Sequence, residues 1–167
     1  MSVVARVVKN VLKNVGYAVK RNPLPGWYHK DPFLAQKHLL RDERVSTVFD
    51  VGANVGQSAT EYHKLFPDAR IYCFEPVPDT FRRLEEKTRG ISRITGVNCA
   101  VSDSVGTVRM HVTDAATMNS MLPMCDESRT QSQIDVPSMT LDRFCETNRI
   151  ESVQVLKMDI QGCEKFA

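Results

Sequence analysis

The sequence predicts an α/β protein built on a doubly wound, mostly parallel sheet. Three observations carry that expectation. Short apolar runs alternate with helix-period segments from Val45 to Met158. One run ends in a glycine-containing turn, Asp50-Val51-Gly52-Ala53-Asn54-Val55-Gly56, which opens a helix, and the next run ends on an acid, Glu75. A βαβαβ order of this kind places successive strands side by side with helices on the faces of the sheet.

Each element has its own signal. Val45 to Val51 is a short apolar run closed by the glycine turn, so it reads as a buried strand. Gly56 to Phe66 is helical, with Ala59, Tyr62, Leu65 and Phe66 on one face and Pro67 as its stop. Arg70 to Phe74 is the second strand. Pro78 to Arg89 is a second helix: Pro78 suits a first turn, Phe81 and Leu84 face inward, and Gly90 closes it. Ile91 to Val101 is a third strand region. Val105 to Val112 alternates in the manner of a strand in a hairpin or an edge insertion. Asp114 to Gln133 is polar and reads as a loop. Leu141 to Ile150 is a helix opened by Thr140 or by Pro137-Ser138, and Val153 to Met158 is a fourth parallel-type strand.

The bulk numbers exclude several classes. The 167 residues suffice for one domain with a real core. At 25% charged and 42% hydrophobic residues the chain reads as soluble and globular. A net charge of +2 argues against nucleic acid as a partner. The cysteines (Cys73, Cys99, Cys125, Cys145, Cys163) show no Cys-x-x-Cys pair and no zinc spacing, which fits free thiols in a reducing, cytoplasmic compartment. No metal site is expected.

Residues 1–30 differ from the rest and divide the chain into a basic leading segment and a domain from 31 to 167. Val4, Val8, Val11, Leu12, Val15 and Val19 share one helical face, and Arg6, Lys9, Lys13 and Lys20 lie opposite. Such an amphipathic helix either packs on its own domain or makes weak contact with an anionic membrane surface through residues 1–21. Asn22-Pro23-Leu24-Pro25-Gly26 reads as a linker.

The chemistry concentrates at the Asp50–Gly56 turn. Ligands of open α/β sheets bind outside the carboxyl ends of the strands. Gly52 permits a sharp turn off the strand, and Gly56 is expected to let the helix start approach a ligand with no Cβ in the way. The helix amino terminus offers unpaired N–H groups. Glu75 follows about twenty residues on, where an acid grips ribose hydroxyls in nucleotide-binding sheets. A dinucleotide fingerprint needs Gly at the positions held by Asn54 and Gln57, which disfavours a NAD-dependent oxidoreductase; a phosphate cradle needs Lys-Ser/Thr where Gln57-Ser58 stand.

The Asp-x-Gly-x-Asn-x-Gly form resembles motif I of class I, Rossmann-like methyltransferases that use S-adenosylmethionine. With Phe74-Glu75-Pro76-Val77-Pro78, Asn98-Cys99-Ala100-Val101-Ser102-Asp103, Met139-Thr140-Leu141-Asp142 and Leu156-Lys157-Met158-Asp159-Ile160-Gln161-Gly162-Cys163-Glu164 following in order, the chain resembles the FkbM family of methyltransferases from about Val45 to Glu164. The resemblance implies S-adenosylmethionine as cofactor and O-methylation of a hydroxyl on a sugar, polysaccharide or natural product. It implies that Asp50, Gly52, Asn54 and Gly56 line the methionine and ribose side and that Glu75 binds the ribose hydroxyls. Asp103 is either a neighbour of the adenine amine or a turn residue. Asp159, at the end of the fourth strand, is either the base that takes the acceptor's proton or a helix cap or a partner to another site residue. The segment Met118-Asn119-Ser120-Met121-Leu122 either shapes the acceptor pocket or is a flexible surface loop.

Two departures from the family pattern stand out. Gln161 replaces the usual Glu, which removes a charge. The family's sheet also continues beyond the fourth strand, whereas this sequence stops at Ala167. The expectation is a chain with the C-terminal strands missing: a fragment, a truncated reading frame or a chain whose sheet a partner completes, with a non-catalytic remnant as the second reading.

Overall fold

The computed structural model describes residues 31–113 and 130–160. The basic segment 1–30, the Met118–Leu122 segment and Gln161 lie outside the described residues. Two compact units divide the chain, 1–38 and 39–167. At the end of the first, α1 (Pro32–Leu39) starts on Asp31, whose Oδ1 accepts hydrogen bonds from the N–H groups of Phe33 and Leu34 at 2.9 and 3.1 Å. This is a side-chain N-cap.

The second unit holds β1 (Thr47–Val51), α2 (Gln57–Leu65), β2 (Arg70–Phe74), α3 (Pro78–Thr88) and β3 (Ile94–Val97). It continues through β4 (Ala100–Val101), β5 (Gly106–Thr113), β6 (Thr130–Met139), α4 (Leu141–Asn148) and β7 (Val155–Met158). The main sheet has the order β3-β2-β1-β7 and is parallel at every pairing. The α/β, Rossmann-like expectation holds, and the expected fourth parallel-type strand is β7, which pairs with β1.

Side-chain alternation along β1 and β2 separates two faces. Phe49 and Val51 of β1 and Tyr72 and Phe74 of β2 turn to one face and meet Phe144 of α4. Phe144 makes edge-on contacts with all three rings, at centroid distances of 5.7 Å to Phe49, 5.2 Å to Tyr72 and 4.9 Å to Phe74. Thr140 places that helix: its hydroxyl accepts from the Arg143 N–H at 3.0 Å, and Arg149, at φ +55°, ends the helix. The opposite face carries Val48, Asp50, Ile71 and Cys73, and it receives α3. There Gly96, the register partner of Cys73, makes room, since a Cβ on it would lie 2.9 Å from the Phe81 ring.

The expected third strand, Ile91 to Val101, is two strands in two sheets. Asn98 breaks it, because its side-chain amide donates to the carbonyls of Glu75 and Pro76 at 2.8 and 3.0 Å and draws the backbone out of the ladder. β4 then pairs parallel with β6, and β5 pairs antiparallel with β6, in a second sheet of order β4-β6-β5. The expected strand from Val105 is β5. The loop expected to run to Gln133 is corrected: strand structure begins at Thr130. Val77, Ala100, Met110 and Val136 form a second small core under this sheet.

The aromatic cluster gives the first test. Phe144→Ala removes the ring that joins β1, β2 and α4, and it should cost about 3–5 kcal/mol in urea unfolding. Leu156→Ala, at a side chain 50% exposed on β7, should stay within about 0.5 kcal/mol. Equal effects would contradict the assignment of the core.

Candidate functional site

Three residues in five leave β1 with left-handed backbone: Gly52 at φ +72°, Asn54 at +50° and Gly56 at +81°. Side chains rarely adopt this conformation, so the segment holds only because its surroundings fix it. The N–H groups of Gly52 and Ala53 both donate to the Phe74 carbonyl at 3.0 Å. A Cβ at Gly52 would stand 2.1 Å from the Asp159 carbonyl oxygen, so only glycine lets the turn pass the end of β7. At Gly56 the structure corrects the expected reason for glycine. The absent Cβ would lie 3.3 Å from side-chain atoms of Leu84 and Thr88, so this glycine admits α3 and not a ligand.

Glu75 closes the corner. It is 6% exposed, and its Oε2 accepts from the Asn54 N–H at 3.0 Å while Oε1 accepts from the Val77 N–H at 3.0 Å. One carboxylate thus ties the turn after β1 to the start of α3. Burial pushes its carboxyl up to about 7, against the opposing pull of the two N–H groups.

Asp50 is fully buried. Its Oδ2 accepts from the Ser58 hydroxyl at 2.7 Å, and Oδ1 lies 3.0 Å from the ammonium of Lys157. Oδ1 has no hydrogen bond among the described residues, so this ammonium is what compensates its charge. Lys157 is the register partner of Asp50 across β1 and β7. Its Nζ also donates to the Gly52 carbonyl at 3.1 Å and stands 4.0 Å from Asp159 Oδ2. On the other side of Asp50, burial and the Asp50 charge push the Cys73 thiol well up.

Asp159 follows β7, with its N–H donating to the Val51 carbonyl at 3.0 Å and a side chain 59% exposed. The structure therefore gathers Asp50, Gly52, Asn54, Gly56, Glu75 and Asp159 at the carboxyl ends of β1, β2 and β7. Asp103 is not tied to that group by any hydrogen bond among the described residues. It is exposed in the bend after β4 and accepts from the Ser102 hydroxyl at 3.4 Å. Sequence reasoning missed Ser58, Asn98 and Lys157. For Lys157 a signal existed: it lies two residues before Asp159 and so shares a strand face with it.

The raised Glu75 carboxyl has a measurable consequence. A group with a folded-state value of about 7 against 4.5 otherwise binds its proton more tightly in the folded chain. Its contribution to stability is greatest in acid and declines as pH rises through that window. Glu75→Gln removes the dependence. Relative to the parent, the variant should gain about 3 kcal/mol in urea unfolding between about pH 4 and pH 8. A difference constant with pH would contradict the burial of an ionisable carboxylate here.

Comparison with known proteins identifies the family. A family profile described as the methyltransferase FkbM domain matches residues 50–167. The 2-O-methyltransferase NoeI of Sinorhizobium fredii is 28% identical, over 70% of this chain and 54% of its own length. The hexuronic acid methyltransferase AglP of Haloferax volcanii is 25% identical, over 73% of this chain and 48% of its own. The 31-O-demethyl-FK506 methyltransferase FkbM of Streptomyces tacrolimicus is 38% identical over 44% of this chain and 28% of its own. The crystal structure of methyltransferase FkbM from Methylobacillus flagellatus KT aligns over 72% of this chain and 27% of that one, with TM-score 0.45 and 18% identity. The chain spans about half or less of the length of these curated relatives. With the profile match running from the first residue of the turn, through Glu75, to Asp159 and beyond, the chain belongs to the FkbM family of methyltransferases.

Proposed function

We propose that this protein is an S-adenosylmethionine-dependent O-methyltransferase whose acceptor is a hydroxyl of a sugar, a polysaccharide or a natural product. The observation that carries the reading is the Glu75 carboxylate, buried and fixed by the Asn54 N–H beside the left-handed turn. A carboxylate offers about four acceptor positions, and the two backbone N–H groups occupy two of them. The remainder suit the paired hydroxyls of a ribose, whose donation would compensate the cost of ionising a buried acid. Gly52, Asn54 and Gly56 shape the turn that would face the donor's methionine portion. Asp50 contributes from beneath by fixing Ser58 and Lys157, and Asp103 would lie toward the adenine.

S-adenosylmethionine supplies, when bound, a methyl group on a positively charged sulfur. The chain's own residues orient the reactants for an in-line displacement and receive the acceptor's proton. Asp159 is the group for that proton, since it is exposed at the end of β7 against the donor turn. The acceptor class draws support from the relatives, among them a 2-O-methyltransferase and a hexuronic acid methyltransferase.

Titration calorimetry tests the donor. S-adenosylmethionine should bind and NAD should not, and affinity should rise with pH through about 7 as Glu75 ionises. Binding of NAD alone would overturn the reading. In methyl-transfer assays against a panel of hydroxylated sugars and natural products, Asp159→Asn should lower turnover by about 100-fold to 10,000-fold at unchanged donor affinity. Full turnover in the variant would remove Asp159 from the reaction.

A further inference from the structure

Among the described residues, Lys157 is a charged side chain of this corner that the motif reading left without a role, yet it meets Asp50, the Gly52 carbonyl and Asp159 together. Its ammonium meets a fully buried carboxylate oxygen of Asp50 that has no hydrogen bond among the described residues. The same ammonium donates to the Gly52 carbonyl, at the first left-handed residue of the turn. Backbone contacts cross the same junction. The Asp159 N–H donates to the Val51 carbonyl, and the α-carbon of Gly52 passes the Asp159 carbonyl where no Cβ would fit. Strand ends β1 and β7 are therefore locked together at the point where the turn departs.

We infer that Lys157 is a positioning residue for the methyl donor: by spanning Asp50 and the Gly52 carbonyl it holds the Gly52–Gly56 turn in its donor-ready conformation. The inference rests on the donor reading above and adds a residue to it. Two roles combine in one ammonium and they separate experimentally. As a counter-ion it neutralises Asp50; removing it alone leaves a buried charge with only the Ser58 hydroxyl facing it, which destabilises the fold. As a donor to Gly52 it fixes a carbonyl whose peptide plane sets the direction of a strained turn. That second contact cannot be restored by neutralising Asp50.

The experiment compares the parent chain, Lys157→Met, Asp50→Asn, and the double variant Asp50→Asn/Lys157→Met. Thermal unfolding is measured together with titration of S-adenosylhomocysteine. Lys157→Met should unfold at markedly lower temperature. The double variant, with no charge left buried, should recover most of that loss and be folded at the temperature of titration. Its affinity for S-adenosylhomocysteine should nevertheless remain about tenfold or more weaker than that of the single variant Asp50→Asn, which keeps the Lys157 contact to Gly52, the effect of losing a hydrogen bond from a charged donor. Recovery of affinity to that of Asp50→Asn, together with stability, would overturn the inference and leave Lys157 a counter-ion only, with the donor reading intact. A parent chain that binds no S-adenosylhomocysteine would overturn the donor reading and this inference with it.

Discussion

The Glu75 carboxylate is held out of water just past the end of β2, and two backbone N–H groups from different loops converge on it. Desolvation opposes its ionisation, and those hydrogen bonds favour it; the balance leaves the group titrating near neutrality. The rest of the corner depends on this arrangement. The Asn54 N–H reaches Glu75 because Asn54 adopts a left-handed conformation, and the Val77 N–H does so as α3 begins. Asn98 holds the Glu75 and Pro76 carbonyls from below and in doing so ends β3. A single acid thereby sets the path of the turn, the start of a helix and the place where the chain leaves the main sheet.

The two faces of that sheet do different work. The face under α4 is an apolar cluster in which Phe49, Tyr72, Phe74 and Phe144 meet edge to face, a geometry worth about 0.5–1.5 kcal/mol per pair beyond burial. The other face carries a row of register partners, Gly96, Cys73, Asp50 and Lys157. A buried ion pair in such a row adds little net stability compared with an apolar substitute. What it adds is geometry at the strand ends. The stiff aromatic face keeps the strands in register, and the charged row fixes the loops that leave them.

Much of this was legible in the sequence because it rests on local rules. Apolar runs and helix periods located β1, α2, β2 and α3, and the acid at the end of β2 stood out against an apolar strand. Of the two helix starts the sequence offers, the fold uses the Thr140 cap. Where the sequence misled, a tertiary contact had overridden the local signal. Ile91 to Val101 looks continuous, but the Asn98 amide finds its partners across the fold. The start of β6 is polar and its end carries Pro137, so the strand shows no apolar alternation before Ile134 and Val136; its pairing with β5, including Arg109 opposite Asp135 at 3.0 Å, forms it. Gly56 looked like a ligand-facing glycine because α3, which fills that space, lies some thirty residues away in sequence. Lys157 was invisible as a partner of Asp50 because strand order, not spacing, brings them together.

The central claim is that the corner between the Gly52–Gly56 turn and Glu75 holds the methyl donor. Its most direct test is a crystal structure of the chain grown with S-adenosylhomocysteine. The account predicts both ribose hydroxyls within hydrogen-bond distance of the Glu75 carboxylate, with the sulfur on the side of the turn nearest Asp159. A nucleoside bound elsewhere, such as the surface groove lined by Asp142, Cys145, Arg149 and Ile150, with Glu75 untouched, would contradict it.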